Sequence, residues 1–151
     1  MNFLAHLLLG SQSPEQALGS MLGDFVKGPV HRLELPKPVR EGIVLHRRID
    51  SFTDAHPLVL QSKARVSSRR RRFAGILVDM FYDHLLARHW SRFADRQLED
   101  FTRDVYRQLL AQREWMPERA WTVVHYMSEQ DWLSSYAELP HLHRAVDNMA
   151  R

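Results

Sequence analysis

A chain of 151 residues that is 44% hydrophobic and 26% charged has apolar material for one core and is too short for two comfortable ones. The absence of cysteine excludes a disulfide framework and a zinc–thiolate site, so any metal must be held by His, Asp or Glu. The net charge of +3 is modest but unevenly placed, because Arg65, Arg69, Arg70, Arg71 and Arg72 fall within eight residues.

Strand-type alternation, repeats and low-complexity linkers are absent from the sequence, whereas helix starts and stops recur. The expected fold is all-α, a compact helical bundle forming a single domain over residues 1–151. The opening MNFLAHLLLG is apolar, but it has no positively charged leader and is too short to span a bilayer. With Asn2 as cap and His6 in its middle, it reads as a short core helix of a cytoplasmic protein. Ser13, Pro14 and Gln16 mark a second helix with capping-box spacing, expected to run to about Lys27 and Gly28. Gly19 and Gly23, four apart on it, suggest a close helix contact. GPVHRLELPKP reads as a loop, since Gly28, Pro29, Pro36 and Pro38 interrupt any continuous helix. A third helix is expected from about Val39 to Thr53, and His56 with Pro57 opens a short fourth. The arginine run leads into a long central helix ending near Trp90. Asp95 to Arg113, Pro117 to Gln130 and Pro140 to Met149 complete the set.

In the central stretch FAGILVDMFYDHLLARHW the only acids are Asp79 and Asp83, with His84 beside them. A helix apolar on all sides belongs in the interior, where a carboxylate without a cation or donors is costly. Two solutions are open: a bound metal ion, or a buried ion-pair network with Arg47, Arg48 or Arg88. His6, the only ionisable side chain of its apolar segment, and Asp24 in SMLGDFVKG pose the same problem. On the third helix, LHRRIDSFTDAH places His46 and Asp50 one turn apart on one face. Arg47 and Arg48 between them offer forked donors to a phosphate, or salt bridges to neighbouring acids. Acids and histidines from four helices on otherwise apolar surfaces point to a polar site inside a helical bundle. Oxygen and imidazole donors suit manganese, magnesium, iron or zinc, and a carboxylate-rich set leans towards Mn2+ or Mg2+. Such an ion lowers the pKa of bound water and offsets charge on a phosphoryl oxygen. The arginine run reads either as a solvated face or as a docking patch for nucleic acid or an acidic protein.

NFLAHL, LGDFVKG, LHRRIDSFTDAHP, LVDMFYDHLLARHW and the later YMSEQDWLSSY, in this order over nearly the whole chain, resemble the acyl carrier protein phosphodiesterases, also called holo-acyl carrier protein hydrolases. That family is regarded as a divergent, all-helical branch of the HD-domain metal phosphohydrolases. The resemblance implies an HD-domain-like bundle that hydrolyses the phosphodiester joining phosphopantetheine to a serine of holo-acyl carrier protein. The products are the apo-protein and 4′-phosphopantetheine, with manganese preferred. Two departures stand out. The family's chains continue into a further C-terminal helical segment, whereas this sequence stops at Arg151, and HD-domain enzymes carry an adjacent His-Asp pair where this chain has Asp83 then His84. With ligands chosen by chemistry, the expected metal site is Asp24, His46, Asp83 and His84. His6, Asp50 and Asp79 are expected as further ligands or as groups that orient them, with Asp50 in the catalytic set. Arg47 and Arg48 are expected at the phosphate, and Arg69, Arg70, Arg71 and Arg72 at the acidic helix of the carrier protein, with no nucleic-acid or membrane partner. Two other readings are an HD-like hydrolase of a small phosphoester or nucleotide, and a non-enzymatic helical module that binds nucleic acid through its arginines.

Overall fold

The computed structural model describes residues 2–140, and among them the chain is all-α, as expected. Among the described residues eight α-helices follow one another: α1 (Phe3–Gly10), α2 (Pro14–Leu22), α3 (Lys37–Ala55), α4 (Pro57–Ala64), α5 (Ala74–Arg88), α6 (Leu98–Leu110), α7 (Glu118–Glu129) and α8 (Trp132–Ser135). Short 3-10 turns lie between them at Val30–Arg32, Ser68–Phe73, Trp90–Arg92 and Arg113–Trp115. No described helix is long and apolar enough to cross a membrane. The helix expected from Pro140 to Met149 lies outside the described residues except for Pro140 itself.

The boundaries follow local chemistry. Ser13 Oγ accepts from the Gln16 N–H at 3.2 Å, with Pro14 in the first turn, where its missing N–H is not needed. Pro38 sits in the first turn of α3 for the same reason, so that helix begins two residues earlier than its last proline suggested. His56 caps α4, its Nδ1 accepting from the Leu58 N–H at 3.2 Å. α2 differs from expectation: it ends at Leu22 and turns at Gly23 rather than continuing to Lys27, which swings Asp24 off the helix axis. The Asn2 cap is also corrected, since its side chain makes no capping bond to α1. The short α8 was not foreseen. Its entry turn holds Asp131 at φ 46°, and Tyr106 pins it by donating to Asp131 Oδ1 and accepting from the Leu133 N–H, both at 2.9 Å.

α2 and α3 meet backbone to backbone. A Cβ on Gly19 would stand 2.2 Å from the Val39 carbonyl oxygen and 2.7 Å from Gly42 Cα, so the paired glycines permit the contact. Around this pair Leu4, Leu7, Leu18, Leu22, Ile43, Leu109, Val124, Met127 and Leu133 form one core. α6 contributes Leu98, Phe101, Val105 and Leu109, the three-to-four spacing of an inward helical face. The central helix α5 is less enclosed than its composition suggested. It buries Val78, Met80, Asp83, His84 and Ala87 but leaves Phe81 46% and Leu85 36% exposed, so it lies at the edge of the bundle with one apolar side outward.

Candidate active site

Two helices and one turn bring four of the expected residues together. α3 carries His46 and Asp50 one turn apart, as their spacing predicts. α1 crosses α3 and brings His6, and the turn after α2 brings Asp24. His6 Nε2 lies 2.9 Å from Asp50 Oδ1. His46 Nε2 lies 3.2 Å from Asp50 Oδ2 and 3.4 Å from Asp24 Oδ1. The two imidazoles stack, with ring centroids 3.7 Å apart and planes at 10°. Both histidines are buried, while the side chains of Asp24 and Asp50 are 29% and 42% exposed. The cluster therefore has a sealed imidazole floor and a carboxylate mouth.

The backbone sets the orientation of His46. Its Nδ1 donates to the Ser20 carbonyl at 2.7 Å, one of the last-turn carbonyls that α2 cannot satisfy internally. That bond leaves Nε2 as the lone-pair nitrogen aimed at the carboxylates. Gly23 makes room for the ring, because a Cβ there would lie 2.2 Å from His46 Cγ and 2.6 Å from Nδ1. Gly23→Ala is therefore expected to tilt the imidazole out of register and lower turnover by about 10²-fold. Steady-state kinetics beside a circular dichroism melt will check that the fold survives.

Electrostatically the cluster is built for a cation. Burial pulls the His46 pKa down, yet the adjacent Asp24 and Asp50 carboxylates lift it to about 9. Burial would raise Asp50, but its contacts with His46 and His6 hold it well below the usual carboxylate range. Asp24 is lowered in the same way, burial being outweighed chiefly by His46. His46 Nε2 and His6 Nδ1 are buried without a hydrogen-bond partner, which is costly unless something occupies them. Among the described residues, His6, His46 and Asp50 offer donor atoms within 4.8 Å of one another. With Asp24 beside them, this is a nitrogen and oxygen donor set that fits a divalent metal ion.

The remaining expected ligands sit elsewhere. Asp83 is fully buried, and its two oxygens accept the Leu4 and Ala5 N–H groups at 2.8 and 3.0 Å. Those are the second and third residues of α1, so Asp83 caps α1 from another helix, the role expected of Asn2. A carboxylate in apolar surroundings needs donors, and here the backbone supplies them. His84 Nδ1 donates to the Tyr136 carbonyl at 2.6 Å, tying α5 to the residue after α8 rather than to the cluster. Asp79 lies half-buried on α5, one turn before Asp83. Arg47 donates to the Gly28 and Val26 carbonyls at 2.7 and 3.4 Å. It thus braces the loop that carries Asp24 and is not a free phosphate ligand. Arg48 is exposed. Sequence reasoning missed the Ser20 carbonyl, the clearance at Gly23 and the Arg47 brace. Only Gly23 left a signal, having been read as a helix contact, a role that Gly19 fills.

The family model described as acyl carrier protein phosphodiesterase matches residues 1–151. Curated proteins named acyl carrier protein phosphodiesterase from Yersinia pestis and Serratia proteamaculans are each 38% identical over 151 residues, covering 99% of this chain and 78% of each relative. One of the same name from Escherichia coli O6:H1 is 34% identical over the same shares. No solved structure matches. The chain belongs to the acyl carrier protein phosphodiesterase family.

Proposed function

We propose that this protein hydrolyses the phosphodiester between 4′-phosphopantetheine and the carrier serine of holo-acyl carrier protein, using a divalent metal ion, Mn2+ or Mg2+, held by His6, Asp24, His46 and Asp50. The observation that carries the metal assignment is the orphaned, buried Nε2 of His46, which faces the Asp24 and Asp50 carboxylates within 3.4 Å, with His6 Nε2 on the same Asp50 carboxylate. The family assignment supports the substrate. When bound, such an ion acidifies a water molecule and neutralises charge on the phosphoryl oxygens.

The chain's own residues do the positioning. The Ser20 carbonyl holds His46 in the tautomer whose lone pair faces the site, and Asp50 bridges His46 and His6. Asp24, at the rim, is held in place by the Arg47 brace. The exposed carboxylates mark the side from which the phosphodiester enters, while the buried imidazoles keep bulk water from the floor. Arg69, Arg70, Arg71 and Arg72, all exposed, provide the electrostatic attraction for an acidic carrier, which weakens with salt.

Purified protein with Mn2+ is expected to convert holo- to apo-acyl carrier protein with release of 4′-phosphopantetheine, read as the matching mass loss. Chelation should stop the reaction and added Mn2+ restore it. Unchanged turnover after exhaustive chelation would remove the metal from this reading, and preferential turnover of free nucleotides would replace the substrate.

A further inference from the structure

Some cations of the described surface pair with acids and others do not, and what distinguishes one corner is that unpaired arginines are clustered there. Arg96, Arg103 and Arg107 each pair with an acid at 2.6 to 3.2 Å, and Arg113 pairs with Glu118. Arg65 and Arg69 to Arg72 form no ion pair with any described residue. Their only aromatic or ionic contact is Arg72 lying over the Phe73 ring at 4.5 Å. They occupy the end of α4 and the 3-10 turn that follows, so the charge is concentrated at one corner. Beside that corner a groove of about 360 Å³ runs between α4 and α5, lined by Ser62, Arg65, Val66, Leu77, Phe81 and Tyr82. The Ser62 and Tyr82 hydroxyls bond to each other at 2.8 Å across it, which leaves its open wall apolar. An apolar cleft edged by unpaired arginines matches a surface that presents an apolar side chain among carboxylates.

We infer that this groove, with the arginine corner, is the docking surface for the acidic protein substrate. An apolar side chain of the carrier seats against Leu77 and Phe81 while neighbouring carboxylates meet Arg65 and the arginine turn. The inference rests on the reading that a carrier protein is the substrate. The surface connects to the cluster: Lys63, next to Ser62, pairs with Asp54 at 2.9 Å, and Asp54 lies one turn beyond Asp50 on α3. Because the scissile phosphodiester lies at the root of the prosthetic group, a carrier seated here would have to bring its serine itself to the carboxylate mouth, across the α3–α4 corner that Lys63 and Asp54 join.

Apo-acyl carrier protein is the probe, since it keeps the acidic surface and has no bond to be cleaved. Its affinity for the full chain is to be measured by calorimetry for wild type, Phe81→Ser, Arg65→Glu and the double variant, with Tyr126→Ser and Arg103→Glu as controls on another face. Each groove variant is expected to weaken binding about tenfold, and raised salt should erase the Arg65→Glu difference first. Undiminished binding in the double variant, equal losses in the controls, or a loss confined to RNA or DNA binding would overturn the inference. If wild type cleaves holo-carrier while the groove variants bind normally, only the docking surface falls. If wild type neither binds nor cleaves, the substrate reading falls with it.

Discussion

His46→Asn is expected to lower turnover of holo-acyl carrier protein on the order of a thousandfold while costing little stability. The asparagine amide nitrogen can occupy the place of His46 Nδ1 and keep the bond to the Ser20 carbonyl, which the wild-type ring makes at 2.7 Å. Nothing in the variant replaces Nε2. His46→Ala should lose turnover to the same extent and stability as well, because it opens a cavity and strands the carbonyl. That split between two variants at one position separates the chemistry of Nε2 from the packing of the ring. It is read by kinetics beside urea denaturation. The same nitrogen governs a pH effect. In metal-free protein the His46 pKa is raised from 6.5 to about 9, so the folded state holds a proton that the unfolded chain releases. Its stabilisation is complete below about 6.5 and is lost as pH rises through about 9. A metal ion competes with that proton, so Mn2+ affinity should climb over the same window. A Mn2+ titration showing no dependence between pH 6.5 and 9 would disconnect His46 from the metal.

Asp83→Ala should destabilise the fold by about 3 kcal/mol, since it leaves two buried N–H donors of α1 without an acceptor. The effect on catalysis is expected to be indirect. His6 lies one residue beyond the capped N–H groups, so loosening α1 displaces it and lowers turnover by roughly 10- to 100-fold, less than the loss at His46. Mn2+ affinity should fall less than it does in His46→Asn, whereas loss of a direct ligand would match it. Burial raises the Asp83 pKa from 3.8 to about 7, against the two backbone donors that lower it. A carboxyl with a raised folded pKa stabilises fully below about 4, and that contribution is lost as pH rises through about 7. Asp24 and Asp50 are shifted the opposite way, so a downward slope of stability between pH 4 and 7 identifies Asp83. Asp83→Asn should flatten it.

The helical plan was legible because its signals are local. Ser13 with Pro14 and His56 with Pro57 announce helix starts through the N–H groups that a first turn leaves free. His46 and Asp50 were legible as a pair because four residues make one turn. His6 and Asp24 stood out as ionisable groups in apolar surroundings. Asp83 gave the same signal, and there it misled. A carboxylate satisfied by backbone N–H groups and one satisfied by a metal read alike in one dimension, and the donors to Asp83 lie 78 and 79 residues away. Arg47 was misread for a related reason, since its forked donors suit phosphate oxygens and the carbonyls of Val26 and Gly28 equally well. The outward side of α5 was hidden too, because composition records how apolar a helix is and not which of its sides has a neighbour.

The cap on α1 also bears on when the protein becomes competent. All four clustered residues lie between positions 6 and 50, and the bond joining His6 to Asp50 spans 44 positions. The bond that seals α1 spans 79, and bringing more distant ends together costs more chain entropy. On the ribosome, residues 6 to 50 emerge well before α5 does. A nascent chain short of Asp83 would hold every clustered group yet lack the contact that fixes one of its helices.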